Sequence, residues 1–272
     1  MSQFGFMPSP SSEDGVARRI GQEMQVVALT SQKGGSGKTT LAGHLAVEAV
    51  RAGNGPVAVV DTDPQGSLRG WGRARADTDP AVFAAAADEL PDVLERLRNE
   101  GYKLVFVDTP PAVTSSIAEV VGQSDLVVIP TRPSPHDLRA VGATVDIVEA
   151  RGRAMVFVVN SATPRARITS EAAIALSQHG TVAPVTLHHR VDYAASMIDG
   201  RTVMEVNEKS RSAKEVVELW TYLASRLERL QEEVRERVEE QPKASFPAHG
   251  PADVHRRTAP TFGRRTGGTF GQ

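Results

Sequence analysis

The sequence predicts an α/β fold, a doubly wound, mostly parallel sheet flanked by helices, and three observations carry that expectation. Short apolar runs alternate with amphipathic stretches along most of the chain. A glycine-rich loop joins the first run to the first amphipathic stretch, and two later runs end on acidic residues. The length of 272 residues suits one such domain, and a hydrophobic content of 40% is enough to fill its core. Residues 1–22 read as a loose extension, 23–240 as the domain, and 241–272 as a disordered tail.

The elements follow in order. In the extension, Met7-Pro8-Ser9-Pro10-Ser11-Ser12 argues against a packed element. Residues 25–30 read as a buried parallel strand, and 38–52 as a helix with Leu41, Leu45 and Ala49 on one face. A second strand, from Val57, ends at Asp61 and Asp63, and a third over 103–108 ends at Asp108. Strands are predicted over 125–130 and 155–160, with helices over 135–150 and 169–178. Val185-Thr186-Leu187 reads as a further strand. Residues 212–240 predict a long helix whose Val216, Trp220, Leu223, Leu227, Leu230, Val234 and Val238 recur at steps of four and three. Its first half is expected to pack on the sheet and its second half, rich in Glu and Arg, to be solvated. Beyond it hydrophobic residues are sparse, and Thr261-Phe262-Gly263 recurs as Thr269-Phe270-Gly271, either a docking element or a chance repeat in a solubilising tail.

The loop holds the most specific chemistry: Ser31-Gln32-Lys33-Gly34-Gly35-Ser36-Gly37-Lys38-Thr39-Thr40. Gly34, Gly35 and Gly37 let backbone N–H groups turn inward around an anion, and the following helix adds the partial positive charge of its N-terminus. Lys38 is placed for β- and γ-phosphates, and the Thr39 hydroxyl for Mg²⁺. The standard phosphate-loop pattern has a glycine where this chain has Gln32.

Lys33 at the start of the loop resembles the deviant Walker A box, K-G-G-x-G-K-T-T, of the ParA/MinD family of ATPases. The resemblance implies ATP and Mg²⁺ as cofactors and a homodimer in the ATP state, with Lys33 crossing to the partner's phosphates. Asp61-Thr62-Asp63-Pro64-Gln65-Gly66-Ser67 looks like the ParA branch, implying that Asp63 positions the attacking water with Asp61 in support and that Pro64 and Gln65 belong to a switch. Asp108 stands as a Walker B acid for Mg²⁺, Thr109 and Pro110 as a second switch, and Asn160 as an adenine contact. The stretch Pro133-Ser134-Pro135-His136-Asp137-Leu138 is also similar to ParA sequences. The resemblance spans about residues 25–230 and implies the small ParA type, since the segment before the loop is too short for a repressor's DNA-binding domain.

Composition narrows the rest. The chain has no cysteine, which excludes disulfides and thiolate-held metal and, within the superfamily, the iron–sulfur branches. No apolar run is long enough to span a bilayer and no signal-peptide profile is present, so a cytoplasmic protein is expected, nucleoid-associated in the ATP state, with no membrane partner. A net charge of −2 leaves DNA binding to local basic groups. Arg165, Arg167, Arg190, Arg201, Lys209, Arg211 and Lys214 are the candidates for non-specific DNA contact, with His188 and His189 nearby. By resemblance a cargo-bound ParB-like or adaptor protein stimulates hydrolysis, and the cargo is a plasmid, a chromosome region or a large protein assembly. Two other readings stay open: a MinD-like regulator, which calls for a C-terminal amphipathic membrane helix, and a scaffold that uses nucleotide only to fix its shape.

Overall fold

The computed structural model describes residues 24–111 and 114–240. The extension, the tail and its Thr-Phe-Gly repeat lie outside the described residues.

The strands are β1 (Gln25–Leu29), β2 (Val57–Asp61), β3 (Ala81–Ala84), β4 (Leu104–Asp108), β5 (Leu126–Thr131), β6 (Ala154–Val159) and β7 (Thr181–Val182). Among the described residues they form one seven-stranded sheet in the order β3-β2-β4-β1-β5-β6-β7. Every pairing is parallel. From β1 the chain first builds outward through β2 and β3, returns to β4, then crosses to β5 on the other side. The order therefore reverses at β1, and the crevice at the carboxyl ends of its neighbours is where such sheets hold ligands.

The crossovers are α1 (Lys38–Arg51), α2 (Ser67–Ala74), α3 (Leu90–Asn99), α4 (Thr114–Gly122), α5 (Pro135–Ala150) and α6 (Arg167–Ser177). The C-terminal part adds α7 (Val191–Ser196), a 3₁₀ turn Met197–Asp199, α8 (Val203–Val206) and the long α9 (Arg211–Glu240).

Two-residue periodicity decides which helices each strand meets. Val27 and Leu29 in β1, Val57 and Val59 in β2, and Leu104 and Phe106 in β4 share one face with α1, α2 and α9. Val26, Ala28, Ala58, Val60, Val105 and Val107 point to the other face, against Leu90, Leu94 and Leu97 of α3. Farther along that face, Val127, Ile129 and Phe157 pack on Ile117 of α4 and Val141, Val145 and Val148 of α5. Strands buried on both faces read as continuous apolar runs, which is why the central ones were legible.

α9 is the closing helix of the first face. Val216, Leu219, Trp220, Leu223 and Leu227 are buried, and Trp220 meets Phe106 edge to face at 5.8 Å. Leu230 is half-buried, while Val234 and Val238 are exposed because the helix has run past the sheet.

One expected element differs. Residues 185–187 form no strand; the edge strand is the two-residue β7, and Leu187 is fixed by two backbone bonds, its N–H to Val159 O and Ala162 N to its carbonyl, each 3.0 Å long. The segment then bridges Ala162 to His188. Pro184 supplies no donor, so the chain cannot continue the ladder there.

Candidate nucleotide site

Parallel register brings the motif residues to one edge of the sheet. Asp61 and Asp108 are register partners on adjacent strands, and Leu29, the last residue of β1, pairs with Asp108 on the other side. The loop 30–37 starts from that level and feeds α1, whose first N-terminal carbonyl, Gly37 O, accepts from Leu41 N at 2.9 Å.

Gly37 is a position only glycine fills: its φ is 94°, and a Cβ there would stand 2.3 Å from Asn160 Nδ2. That amide donates to Ser36 O at 2.7 Å, and Asn160 Oδ1 accepts from Ser161 N at 2.8 Å. Asn160 therefore pins the loop from the end of β6.

Lys38 is buried, and its Nζ donates back to Ser31 O at 3.3 Å across the mouth of the loop. Burial lowers its pKa, with the charges of Asp108 and Asp63 partly opposing. Thr39 Oγ1 donates to Asp108 Oδ2 at 2.6 Å. Burial pushes the Asp108 carboxyl up to about 7; the Thr39 hydroxyl opposes the shift and the Asp61 charge beside it adds to it. Its second oxygen, Oδ1, is buried with no partner, as are the hydroxyls of Ser36 and Thr30. A loop of N–H groups and a buried lysine fit a polyphosphate, and a hydroxyl–carboxylate pair with one orphan oxygen fits a hard divalent cation such as Mg²⁺.

The remaining motif residues form the walls. Both oxygens of Asp61 are engaged, Oδ1 by Asp63 N at 3.0 Å and Oδ2 by Arg69 N at 2.8 Å, so Asp61 ties the turn to the start of α2. Asp63 is half-buried and accepts from Gln65 N, 2.9 Å away; Pro64 and Gln65 are exposed. Thr62 Oγ1 donates to Asp108 O, and Thr109 Oγ1 to Leu29 O, lacing the strand ends together. Pro110 is buried. Lys33 Nζ lies 3.2 Å from Asp137 Oδ2, at the start of α5.

Two contributors were not singled out from sequence. Arg132 extends its guanidinium over Gly35, and it lines a cleft of about 200 Å³ with Gly37, Asn160, His189 and Tyr193. His44, fully buried in α1, accepts from Val203 N at Nε2, 3.2 Å, while its Nδ1–H donates to Thr40 O, 2.7 Å. Both act through contacts far apart in the chain, and neither belongs to a motif.

The basic candidates divide. Arg190, Arg211 and Lys214 line one hollow with Pro164, the neighbour of exposed Arg165. Arg190 is ion-paired to Glu215, which also takes the N–H and Nδ1 of His188 and the Tyr193 hydroxyl. Arg167 pairs with Glu171 at 2.8 Å and Arg201 with Asp199 at 2.6 Å, so these two are less free for an added anion. Lys209 is exposed. Among the described residues no helix is long and apolar enough to cross a membrane.

Known proteins agree with this geometry. The family model described as VirC1 protein matches residues 24–240. The maintenance of carboxysome distribution protein A of Halothiobacillus neapolitanus is 27% identical over 202 residues, covering 70% of this chain and 92% of that protein. The chromosome-partitioning ATPase Soj of Thermus thermophilus is 32% identical over 152 residues, covering 45% of this chain and 61% of that one. The crystal structure of the cell division ATPase MinD of Pyrococcus furiosus superposes with a TM-score of 0.60 at 19% identity, over 75% of this chain and 99% of the other.

Proposed function

This chain belongs to the VirC1 family and is a ParA-type ATPase of the partition and positioning class, and we propose that it works as an ATP-driven dimerisation switch that holds DNA and moves a cargo. The observation that carries the reading is the conjunction of Lys33, the Gly37 cradle and the Thr39–Asp108 pair at one sheet edge.

The backbone N–H groups from Gly34 to Gly37 would bind the phosphates, and the buried Lys38 would neutralise them. Thr39 and Asp108 would hold Mg²⁺, which when bound supplies charge neutralisation at the β- and γ-phosphates. Asp63, whose carboxylate has spare acceptor capacity, would orient the attacking water, with Asp61 holding the turn that aims it. Pro64, Gln65, Thr109 and Pro110, which follow the ends of β2 and β4, would sense the γ-phosphate. Lys33 would reach the nucleotide of a second copy. ATP can shift a monomer–dimer equilibrium only through contacts that the dimer alone makes, and a lysine bound in trans is such a contact.

Arg165, Arg211 and Lys214, none of which is engaged as Arg190 is by Glu215, would meet DNA phosphates without reading sequence, which would associate the ATP state with the nucleoid. A cargo-bound partner would stimulate hydrolysis; the similarity to a carboxysome-distribution protein supports a large protein assembly as one class of cargo. The test is binding to a non-specific duplex with ATP, with ADP, and with Asp63→Ala, at two salt concentrations. Binding that needs ATP, survives in the variant and weakens with salt supports the switch; the absence of binding in every state refutes its DNA half.

A further inference from the structure

We infer that Asp137 is a positioning residue that stows Lys33 on its own chain and so sets the threshold for dimerisation. The inference rests on the reading that Lys33 acts across a dimer.

Lys33 reaches from the loop to the start of α5, where its Nζ lies 3.2 Å from Asp137 Oδ2. The pair shares a small hollow with Ser31, Thr131, Val141 and Thr144, so the lysine stem lies in the groove between β5 and α5. The lysine side chain retains 39% of its exposure and the aspartate 9%, which makes the aspartate the fixed member and the lysine the mobile one.

Asp137 is fixed for a local reason. Ser134 is the N-cap of α5 and accepts from Asp137 N at 3.2 Å, while the Ser134 hydroxyl donates to Asp137 Oδ2. A carboxylate at this position also faces the positive end of the helix. When Lys33 leaves, Asp137 therefore keeps the Ser134 hydroxyl and the helix terminus, and no buried charge is stranded. The contact is one that can open and close.

An ammonium held by Asp137 cannot at the same time reach another chain's phosphates. Asp137 and the partner's nucleotide therefore compete for Lys33, and the carboxylate lowers the apparent dimer affinity by the fraction of time it holds the lysine. Nucleotide binding by the monomer is untouched, because Lys38, Thr39 and the loop N–H groups are elsewhere.

The experiment is ATP-dependent dimerisation of the full chain, measured as a dissociation constant in an Asp63→Ala background, beside nucleotide affinity and thermal melting. Asp137→Asn is expected to tighten the dimer by about three- to tenfold, the range of a partly exposed charged hydrogen bond, with nucleotide affinity unchanged. Asp137→Glu, which keeps the charge at a capping position, is expected to match the parent. Asp137→Ser is a second charge-free variant if the amide disturbs the cap. Lys33→Ala with Asp137→Asn is expected to equal Lys33→Ala alone. Unchanged or weaker dimers in both charge-free variants, with Lys33→Ala defective, overturn the stowing role and leave the trans-acting lysine intact. Lys33→Ala dimerising normally overturns both.

Discussion

At the scale of single residues, the site depends on positions that tolerate one side chain or none. Gly37→Ala meets two penalties at once, a left-handed φ of 94° and the Asn160 amide 2.3 Å away. It is expected to cost about 1–3 kcal/mol of stability and to abolish nucleotide binding, as read by thermal melting and fluorescent-nucleotide titration. Lys33→Ala is expected to leave nucleotide binding in place and to remove ATP-dependent association, read by light scattering. The glycines and lysines of the loop and the acids at the ends of β2 and β4 were legible because their spacing carries chemistry by itself. Asp137 was legible only as part of a ParA-like stretch and Arg132 not at all; the contact of Asp137 with Lys33 spans 104 residues and only the crossing of β5 beside β1 brings the two together. Asn160 was legible as a strand-end polar residue, but its use as a brace for Ser36 requires the loop to be in place.

At the scale of elements, α1 links the phosphate loop to the C-terminal segment through His44. Its pKa, about 4, lies below the ordinary 6.5 because burial penalises the imidazolium. The unfolded chain then takes up a proton that the folded one refuses, so the stability present above about pH 6.5 is lost toward pH 4, at a slope approaching about 1.4 kcal/mol per pH unit. His44→Gln, which can donate to Thr40 O and accept from Val203 N, is expected to flatten that limb in urea unfolding at several pH values; an unchanged slope removes His44 as its origin. In α9 the burial profile makes a second contrast. Leu223→Ala is expected to cost about 2–5 kcal/mol, whereas Val238→Ala, on the overhanging half, should stay within about 0.5 kcal/mol. The long helices and central strands were readable because burial on one or both faces writes a period into the sequence. β3 was not, being four half-buried or exposed residues at the sheet edge, and β7 has two residues, too few for any period. α3 carries a stripe in Leu90, Leu94 and Leu97, but its ten residues hold too few turns for the period to stand out.

At the scale of the whole molecule, the glycine-rich loop and its acids stand at the strand ends, and His188 and Arg190 line both the cleft beside the loop and the basic hollow that holds Arg211 and Lys214. Lys214→Ala and Arg211→Ala are expected to weaken DNA binding on all sequences alike and to lower the salt slope by about one unit each; Arg167→Ala and Arg201→Ala, already ion-paired, should change it less. The most direct measurement is the solution mass of Asp63→Ala with Mg-ATP, with Mg-ADP, and with Lys33→Ala added, by light scattering on a sizing column. A dimer with ATP alone, lost with ADP and lost when Lys33 is removed, is the predicted result. The same mass in all three conditions would contradict a nucleotide-driven switch, and an ATP dimer that persists without Lys33 would contradict its trans-acting role.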